Sequence, residues 1–356
     1  MLVATCFVVT AGCGDTPASP TPVNTGPPIL TCPAAVSQLS MLGIPLAVTF
    51  NAPTVTGGLA PIAPPACTPA SGSTFGQGTT NVSCTAVDAA QKSGSCTFTV
   101  TVNYPPRLTV TRFIAFGDSM TWGEDGQYST TTSIKGRLWH KFVQLAYADT
   151  YPGALQIDLV GRYALQSPTV YNDGAPGEAL VDPTAPALAR FKANLAVGTG
   201  AYDAVLIMEG ANDLMREDAT LYPAMISQLS QMIDFARGVG VKPYLATLPP
   251  ENPNGSVPID RGRGAPLVPD FDNLIRTLTA SKGVPLVDVY QAFNGNLSLV
   301  GPDGLHLTAD GYHLVAQTFL TSIEQTLEAP TSTTAAQKKL RVTPRNVLPY
   351  ARRPSP

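Results

Sequence analysis

Arg112-Phe113-Ile114-Ala115-Phe116-Gly117-Asp118-Ser119-Met120-Thr121-Trp122-Gly123-Glu124 is the stretch on which the reading of this chain turns. An apolar run, Phe113 to Phe116, stops at Gly117-Asp118-Ser119, the pattern of a buried strand entering a sharp turn. Short polar residues just past the end of a parallel strand stand where α/β sheets present their ligands. Ser119 is therefore a candidate nucleophile. A serine hydroxyl is weak by itself, so the rest of the chain must supply a base and an oxyanion site.

Downstream, apolar strands alternate with helical patterns, as in parallel βαβ units. Residues 133–148 read as a helix carrying His140. Gln156 to Val160 reads as a second strand, Tyr202 to Met208 as a third, Val241 to Leu248 as a fourth and Val284 to Val289 as a fifth. Between the third and fourth, Met225, Ile226, Leu229, Met232, Ile233 and Ala236 mark one helix face, with Gly238 as its C-cap. A last helix opens near Thr308, with Tyr312, Val315, Ala316, Phe319, Leu320, Ile323 and Leu327 as its stripe. The expected fold class is α/β: a three-layer, flavodoxin-like sandwich around a five-stranded parallel sheet.

Four polar blocks fall at strand ends or loops of this region. They are Gly117-Asp118-Ser119; Asn172-Asp173-Gly174-Ala175-Pro176-Gly177-Glu178; Gly210-Ala211-Asn212-Asp213; and Asp303-Gly304-Leu305-His306. The chain has three histidines, His140, His306 and His313, and only His306 follows an aspartate by three residues. That spacing suits a histidine base whose tautomer a carboxylate holds. His313 falls off the apolar stripe and His140 lies among Arg137, Trp139 and Lys141; both are expected to face solvent. No His/Cys/Asp set has metal-ligand spacing, so no metal and no cofactor are expected.

In their order, these four blocks resemble the SGNH (GDSL) hydrolase family, named for a Ser, a Gly, an Asn and a His. The resemblance spans residues 105–328 and implies an ester hydrolase with catalytic residues Ser119, Asp303 and His306. It further implies an oxyanion hole formed by the backbone N–H groups of Ser119 and Gly177 and the Asn212 amide. Gly177 matches the family glycine, rather than Gly174, because Ala175-Pro176-Gly177 forms the small-residue turn. Polar loops nearby favour short acyl groups, such as O-acetyl on carbohydrate. The alternatives are a lipase or lysophospholipase of the same family, or a surface protein whose domain only binds glycans. In the 249–269 loop, Arg261 and Arg263 either meet an anionic substrate or are solvated.

All six cysteines lie before residue 97. Residues 29–104 show short alternating runs, among them Leu46–Phe50, Asn81–Val87 and Cys96–Val102, which suggest a small β-sandwich. Its four cysteines imply two disulfides with three possible connectivities; Cys32–Cys96 with Cys67–Cys84 is favoured because the first ties the terminal strands together. Thr31-Cys32-Pro33, Cys67 to Gly72, Cys84 to Asp88 and Cys96 to Val100 resemble the hyalin-repeat (HYR) immunoglobulin-like modules. That resemblance implies a rigid spacer, or a module contacting glycan or protein. Asn103-Tyr104-Pro105-Pro106 reads as a stiff linker.

Residues 1–28 read as an export signal followed by a Pro/Thr/Ser-rich tether. Ala11-Gly12-Cys13 resembles a lipoprotein signal with Cys13 lipidated; the other reading is an ordinary secretory signal. The expected location is the bacterial cell envelope, or secretion. Residues 329–356 read as a disordered basic tail. The 356 residues carry a net charge of −3, which gives no electrostatic case for nucleic acid or for an anionic membrane. Any membrane association would come from a lipid anchor, and a monomer is expected.

Overall fold

The structure is a computed structural model. It describes residues 26–329 except 127–129, 135–136, 142, 183–186, 198–199 and 256–261, and gives backbone alone for 130–134, 137–141 and 197. Cys13, the signal and most of the tether, the tail from residue 330, and Arg261 lie outside the described residues. The chain divides into two compact units between Pro105 and Pro106.

The first unit is built of strands: β1 (Ile29–Thr31), β2 (Val36–Leu39), β3 (Leu46–Ala47), β4 (Thr54–Thr56), β5 (Ala66–Thr68), β6 (Thr74–Phe75), β7 (Gly78–Val87) and β8 (Ser93–Asn103). A four-stranded sheet runs β2-β8-β7-β5, and β1 pairs with β4 and β3 with β6. Alternation sends Val82, Cys84 and Ala86 of β7 and Phe98, Val100 and Val102 of β8 into one core with Leu30, Val48 and Phe75, as period-2 patterning requires. Cys67 and Cys84 face each other across β5 and β7 and are bonded. Cys32, just past β1, is bonded to Cys96 in β8.

The second unit is a parallel sheet between helices. Its elements are β9 (Arg112–Gly117), α1 (Ser119–Trp122), a hairpin of β10 (Thr130–Ile134) and β11 (Arg137–Lys141), α2 (Tyr151–Arg162), β12 (Thr169–Gly174), α3 (Ala187–Val197), β13 (Ala204–Met208), α4 (Ala211–Leu214), α5 (Tyr222–Gly238), β14 (Lys242–Ala246), α6 (Val268–Lys282), β15 (Leu286–Val287), α7 (Val289–Phe293) and α8 (Ala309–Leu327). The sheet order is β12-β9-β13-β14-β15, with every pair parallel. It is the five-stranded, flavodoxin-like order, with β9 and β13 inside the sheet. β13 is buried along its whole length, as expected where helices cover both faces of a strand. α8 is capped by Thr308, whose Oγ1 accepts from Gly311 N–H. Its buried stripe includes Tyr312, Val315, Ala316, Phe319, Ile323 and Leu327.

Two expectations are overturned. Gln156–Val160 is not a strand but the middle of α2. Thr150 caps that helix and Pro152 stands in its first turn. Tyr151, Ala154, Leu155 and Leu159 are buried at helical spacing. The strand expected there is β12, at the sheet edge, with only Val170 fully buried. The helix expected over 133–148 is replaced by the antiparallel pair β10–β11, in which Thr131 pairs with His140, and by a short 3₁₀ turn at Tyr147–Asp149; the β-branched run Thr130-Thr131-Thr132 favours extended backbone. The His140 side chain lies outside what is described. Smaller shifts affect α5, where Gly238 is the last helical residue rather than the cap, and β15, which is only two residues long.

One buried charge near the sheet yields a prediction. Asp272 of α6 is fully buried. Its Oδ1 accepts from Leu248 N–H at 2.9 Å, just past β14, while Oδ2 has no hydrogen-bond partner among the described residues. Burial pushes this carboxyl up to about 8, against the pull of the Leu248 N–H and Arg276. The unfolded chain ionises Asp272 near pH 4, so between about 4 and 8 the native state binds more protons and stability falls as pH rises. Asp272→Asn keeps the Leu248 bond and removes the charge. The expected result is a melting temperature several degrees above wild type at pH 8 and little changed at pH 4–5, read by calorimetry at the two pH values.

Candidate active site

The polar blocks converge where β9, β12 and β13 end. Ser119 is the first residue of α1, one turn long, and Asp118 caps it by accepting from Met120 N–H at 2.9 Å. The Ser119 N–H, at the first helical position, has no intrahelical partner. Ser119 is nearly buried, and His306 and Asp303 are buried with it. His306 Nε2 stands 2.7 Å from Ser119 Oγ. On the other side of the ring, His306 Nδ1 stands 2.5 Å from Asp303 Oδ2.

The loop before α8 holds the aspartate rigidly. Asp303 Oδ1 accepts from the N–H groups of Leu305, at 3.0 Å, and His306, at 2.9 Å. Burial pushes the Asp303 carboxyl up, but the His306 ring and these N–H donors outweigh it, and the group sits below the usual carboxylate range. From the 249–255 segment, Asn252 N–H donates to Gly304 O at 2.8 Å. His313 is exposed, facing Ala148 O at 3.3 Å and Asp149 at 3.6 Å, away from this centre. Arg263 meets Glu217 at 3.4 Å in an exposed pair.

The second and third blocks are stitched together. Asn212, in α4, donates its Nδ2 to Glu178 O at 2.8 Å. Asp213 accepts from Leu180 N–H at 2.7 Å and Val181 N–H at 2.9 Å. Gly174 and Gly177 differ in kind. A Cβ on Gly174 would lie 2.0 Å from Trp122 N, and Gly174 N–H donates to Asn172 Oδ1 at 3.0 Å. Gly177 is exposed at φ 80° and nothing lies within 4 Å of where its Cβ would be. Gly174 is the spacer that lets β12 approach α1; Gly177 is a turn open to solvent.

Three acidic or basic residues in this arrangement escape a reading of the sequence. Arg190 of α3 forks onto Glu178, with Nε at 2.7 Å from Oε1 and Nη2 at 2.5 Å from Oε2. The same guanidinium donates to Asp173 O at 2.9 Å and Gly117 O at 3.1 Å, and lies 4.0 Å above the Phe116 ring. Bidentate recognition of this kind needs arginine rather than lysine. Glu209, beside the third block, is fully buried, and burial, then the charge of Asp118, pushes its carboxyl well up. Asp118 itself is pushed up to about 7 by burial, against the Met120 N–H bond. Glu124, fully buried, brings Oε2 to 3.3 Å from His306 Nε2. Its one signal in the sequence is its place five residues after Ser119. Among the described residues no group of three or more His, Cys, Asp or Glu could hold a metal ion, and no helix is long and apolar enough to cross a membrane.

Residues 115–314 match the GDSL-like lipase/acylhydrolase family, and residues 23–102 match the HYR domain. The chain belongs to the GDSL-like lipase/acylhydrolase family and is an ester hydrolase of the SGNH type. Similar solved structures include an arylesterase from Agrobacterium tumefaciens str. C58, assigned by its name only, at 20% identity over 60% of this chain and 99% of that one, TM-score 0.47. A carbohydrate acetylesterase from Sinorhizobium meliloti has the same identity, coverage and TM-score. A lipase/acylhydrolase from Enterococcus faecalis matches at 21% identity over 63% of this chain and 100% of that one, TM-score 0.46. None of the curated proteins matches the chain.

Proposed function

We propose that the protein is an exported serine esterase that removes short acyl groups from polar alcohols such as carbohydrate hydroxyls. The observation that carries the reading is the hydrogen-bonded chain Ser119 Oγ, His306, Asp303. Ser119 Oγ gives its proton to His306 Nε2 as it attacks the ester carbonyl. Asp303 holds the ring in the tautomer with hydrogen on Nδ1. The tetrahedral oxyanion is met by the N–H groups of Ser119 and Gly177 and by the Asn212 amide. One Asn212 N–H is used on Glu178 O, which orients the amide and leaves the second for the oxyanion. His306 then protonates the leaving alcohol, and water repeats the sequence on the acyl-Ser119.

Export is supported by the two disulfides of the first unit, which persist in oxidising compartments. Cys13 is the proposed lipidation position, with residues 14–28 as tether, and the first unit is proposed to serve as a spacer or a glycan or protein contact. A preference for short chains is supported by the polar composition of the 249–269 loop, whose Asn252 N–H meets Gly304 O beside Asp303. A long acyl chain would need an apolar groove, each buried CH₂ contributing about 0.8 kcal/mol. The expected result is a kcat/KM that is highest for acetyl or butyryl among p-nitrophenyl esters from acetyl to palmitoyl, with acetate released from acetylated xylan or pectin. A rate climbing steadily past octanoyl, with no acetate from any glycan, would move the protein to the lipase side of its family.

A further inference from the structure

Glu124 comes five residues after Ser119 and folds back onto it. Gly123, at φ 90°, ends the single turn of α1, and the N–H groups of Gly123 and Glu124 both donate to Ser119 O at 2.9 Å. An antiparallel bridge to Gln144 continues the segment. From α8, Tyr312 donates its hydroxyl to Glu124 O at 2.7 Å. These bonds bring the Glu124 carboxylate to the back of the reacting group. Its Oε2 is 3.3 Å from His306 Nε2, and neither side chain is exposed. The imidazole therefore has a carboxylate at each nitrogen: Asp303 on Nδ1 and Glu124 on the nitrogen that faces Ser119 Oγ.

The sign of the second contact depends on the proton. At 3.3 Å a carboxylate oxygen and an unprotonated ring nitrogen oppose two lone pairs, and the contact repels. When Nε2 carries hydrogen the same contact is a charge-assisted hydrogen bond inside a water-poor site, where such bonds are strong. In the proposed mechanism that state exists only between removal of the serine proton and its delivery. An interaction favourable in that interval alone lowers the barrier and leaves substrate binding unchanged.

We propose that Glu124 is a further catalytic residue of this esterase, a second carboxylate that stabilises the His306 imidazolium from its Nε2 side. This rests on the assignment of Ser119 and His306 given above. In acylation the proton passes from Ser119 Oγ to Nε2 as the Oγ–carbon bond forms. It leaves Nε2 for the departing alkoxide oxygen as the old carbon–oxygen bond breaks. In deacylation it comes from water as the water oxygen bonds to the acyl carbon, and it returns to Ser119 Oγ as the Oγ–carbon bond breaks. Glu124 accepts the Nε2–H each time and exchanges no proton itself.

The test is Glu124→Gln, which keeps the shape and removes the charge. The expected fall in kcat is roughly ten- to a hundredfold, the size of one charge-assisted hydrogen bond. KM and melting temperature stay near wild type, and the rate of fluorophosphonate inactivation at Ser119 falls in parallel. A role in packing alone would lower the melting temperature and leave the inactivation rate of the folded protein unchanged. Rates within twofold of wild type overturn the proposal. A rise in kcat also overturns it, since Glu124 would then be a protonated donor occupying Nε2. The second arm uses the unmutated protein, so it stands even if the variant does not fold. With three histidines in the chain, ¹⁵N-histidine labelling gives a simple spectrum. In protein phosphonylated at Ser119, the His306 Nε2–H proton is expected downfield of a solvent-bonded imidazolium and slow to exchange. A solvent-like shift with fast exchange overturns the proposal. Full activity of Ser119→Ala would instead sink the assignment of the nucleophile, so the two failures are separable.

Discussion

Ser119→Ala and His306→Ala will each lower kcat for a simple p-nitrophenyl ester by about 10⁴-fold or more, the usual result of removing a member of a serine triad. The 2.7 Å contact between His306 Nε2 and Ser119 Oγ and the buried Asp303 behind it are the reasons. His313→Ala will change little, because that ring is exposed and turned toward Ala148 and Asp149. Asn212→Ala, which removes one of the proposed oxyanion donors, is expected to cost roughly 10²–10³-fold. Circular dichroism on the same samples separates loss of chemistry from loss of fold. An active His306→Ala with an inactive His313→Ala would reassign the base.

Gly174→Ala will cost more structure than Gly177→Ala, although both lie in one short motif. A methyl at 174 would lie 2.0 Å from Trp122 N and 2.4 Å from Trp122 Cα. These are backbone atoms of the turn that carries Ser119, and they cannot rotate away. Overpacking of this kind costs about 1–3 kcal/mol or more, each kcal/mol lowering the melting temperature by roughly 2–4 °C in a domain of this size. Fluorophosphonate labelling of Ser119 is expected to fall with it as α1 is displaced. At 177 the new methyl meets nothing, and the expense is that of a non-glycine residue at φ 80°, about 1 kcal/mol or somewhat more. Gly177→Ala is therefore expected to fold and to be slow, because its N–H is re-aimed. Thermal melts and labelling rates on the two variants check the contrast. A stable, slow Gly174→Ala beside a fully active Gly177→Ala would remove Gly177 from the oxyanion hole.

What the sequence disclosed of this site depended on whether the information lay in neighbouring residues. β9, β13 and α8 were legible because burial on two faces gives an unbroken apolar run and burial on one gives a stripe. β12 was hidden, since an edge strand with one fully buried side chain, Val170, has no such run. Its neighbour α2 imitated a strand through Gln156-Ile157-Asp158-Leu159-Val160, while Thr150 and Pro152 were the better guide. The four polar blocks could be found because each is a contiguous word. Arg190 and Glu124 could not, because their roles arise from contacts that only the folded chain makes: Arg190 lies 73 residues from Gly117 and 17 from Asp173.

The bond between Ser119 and His306 spans 187 positions of sequence, and the histidine enters just before the last helix. A chain emerging from the N-terminus therefore exposes its serine long before it owns a base. Arg190 can join the ends of β9 and β12 to the Glu178 turn well before that, since all three of its partners precede it in the chain. No partly finished chain holds an armed hydroxyl. A chain that stops short of His306 holds the serine without its base, so truncation before residue 303 is expected to leave a protein that fluorophosphonates do not label.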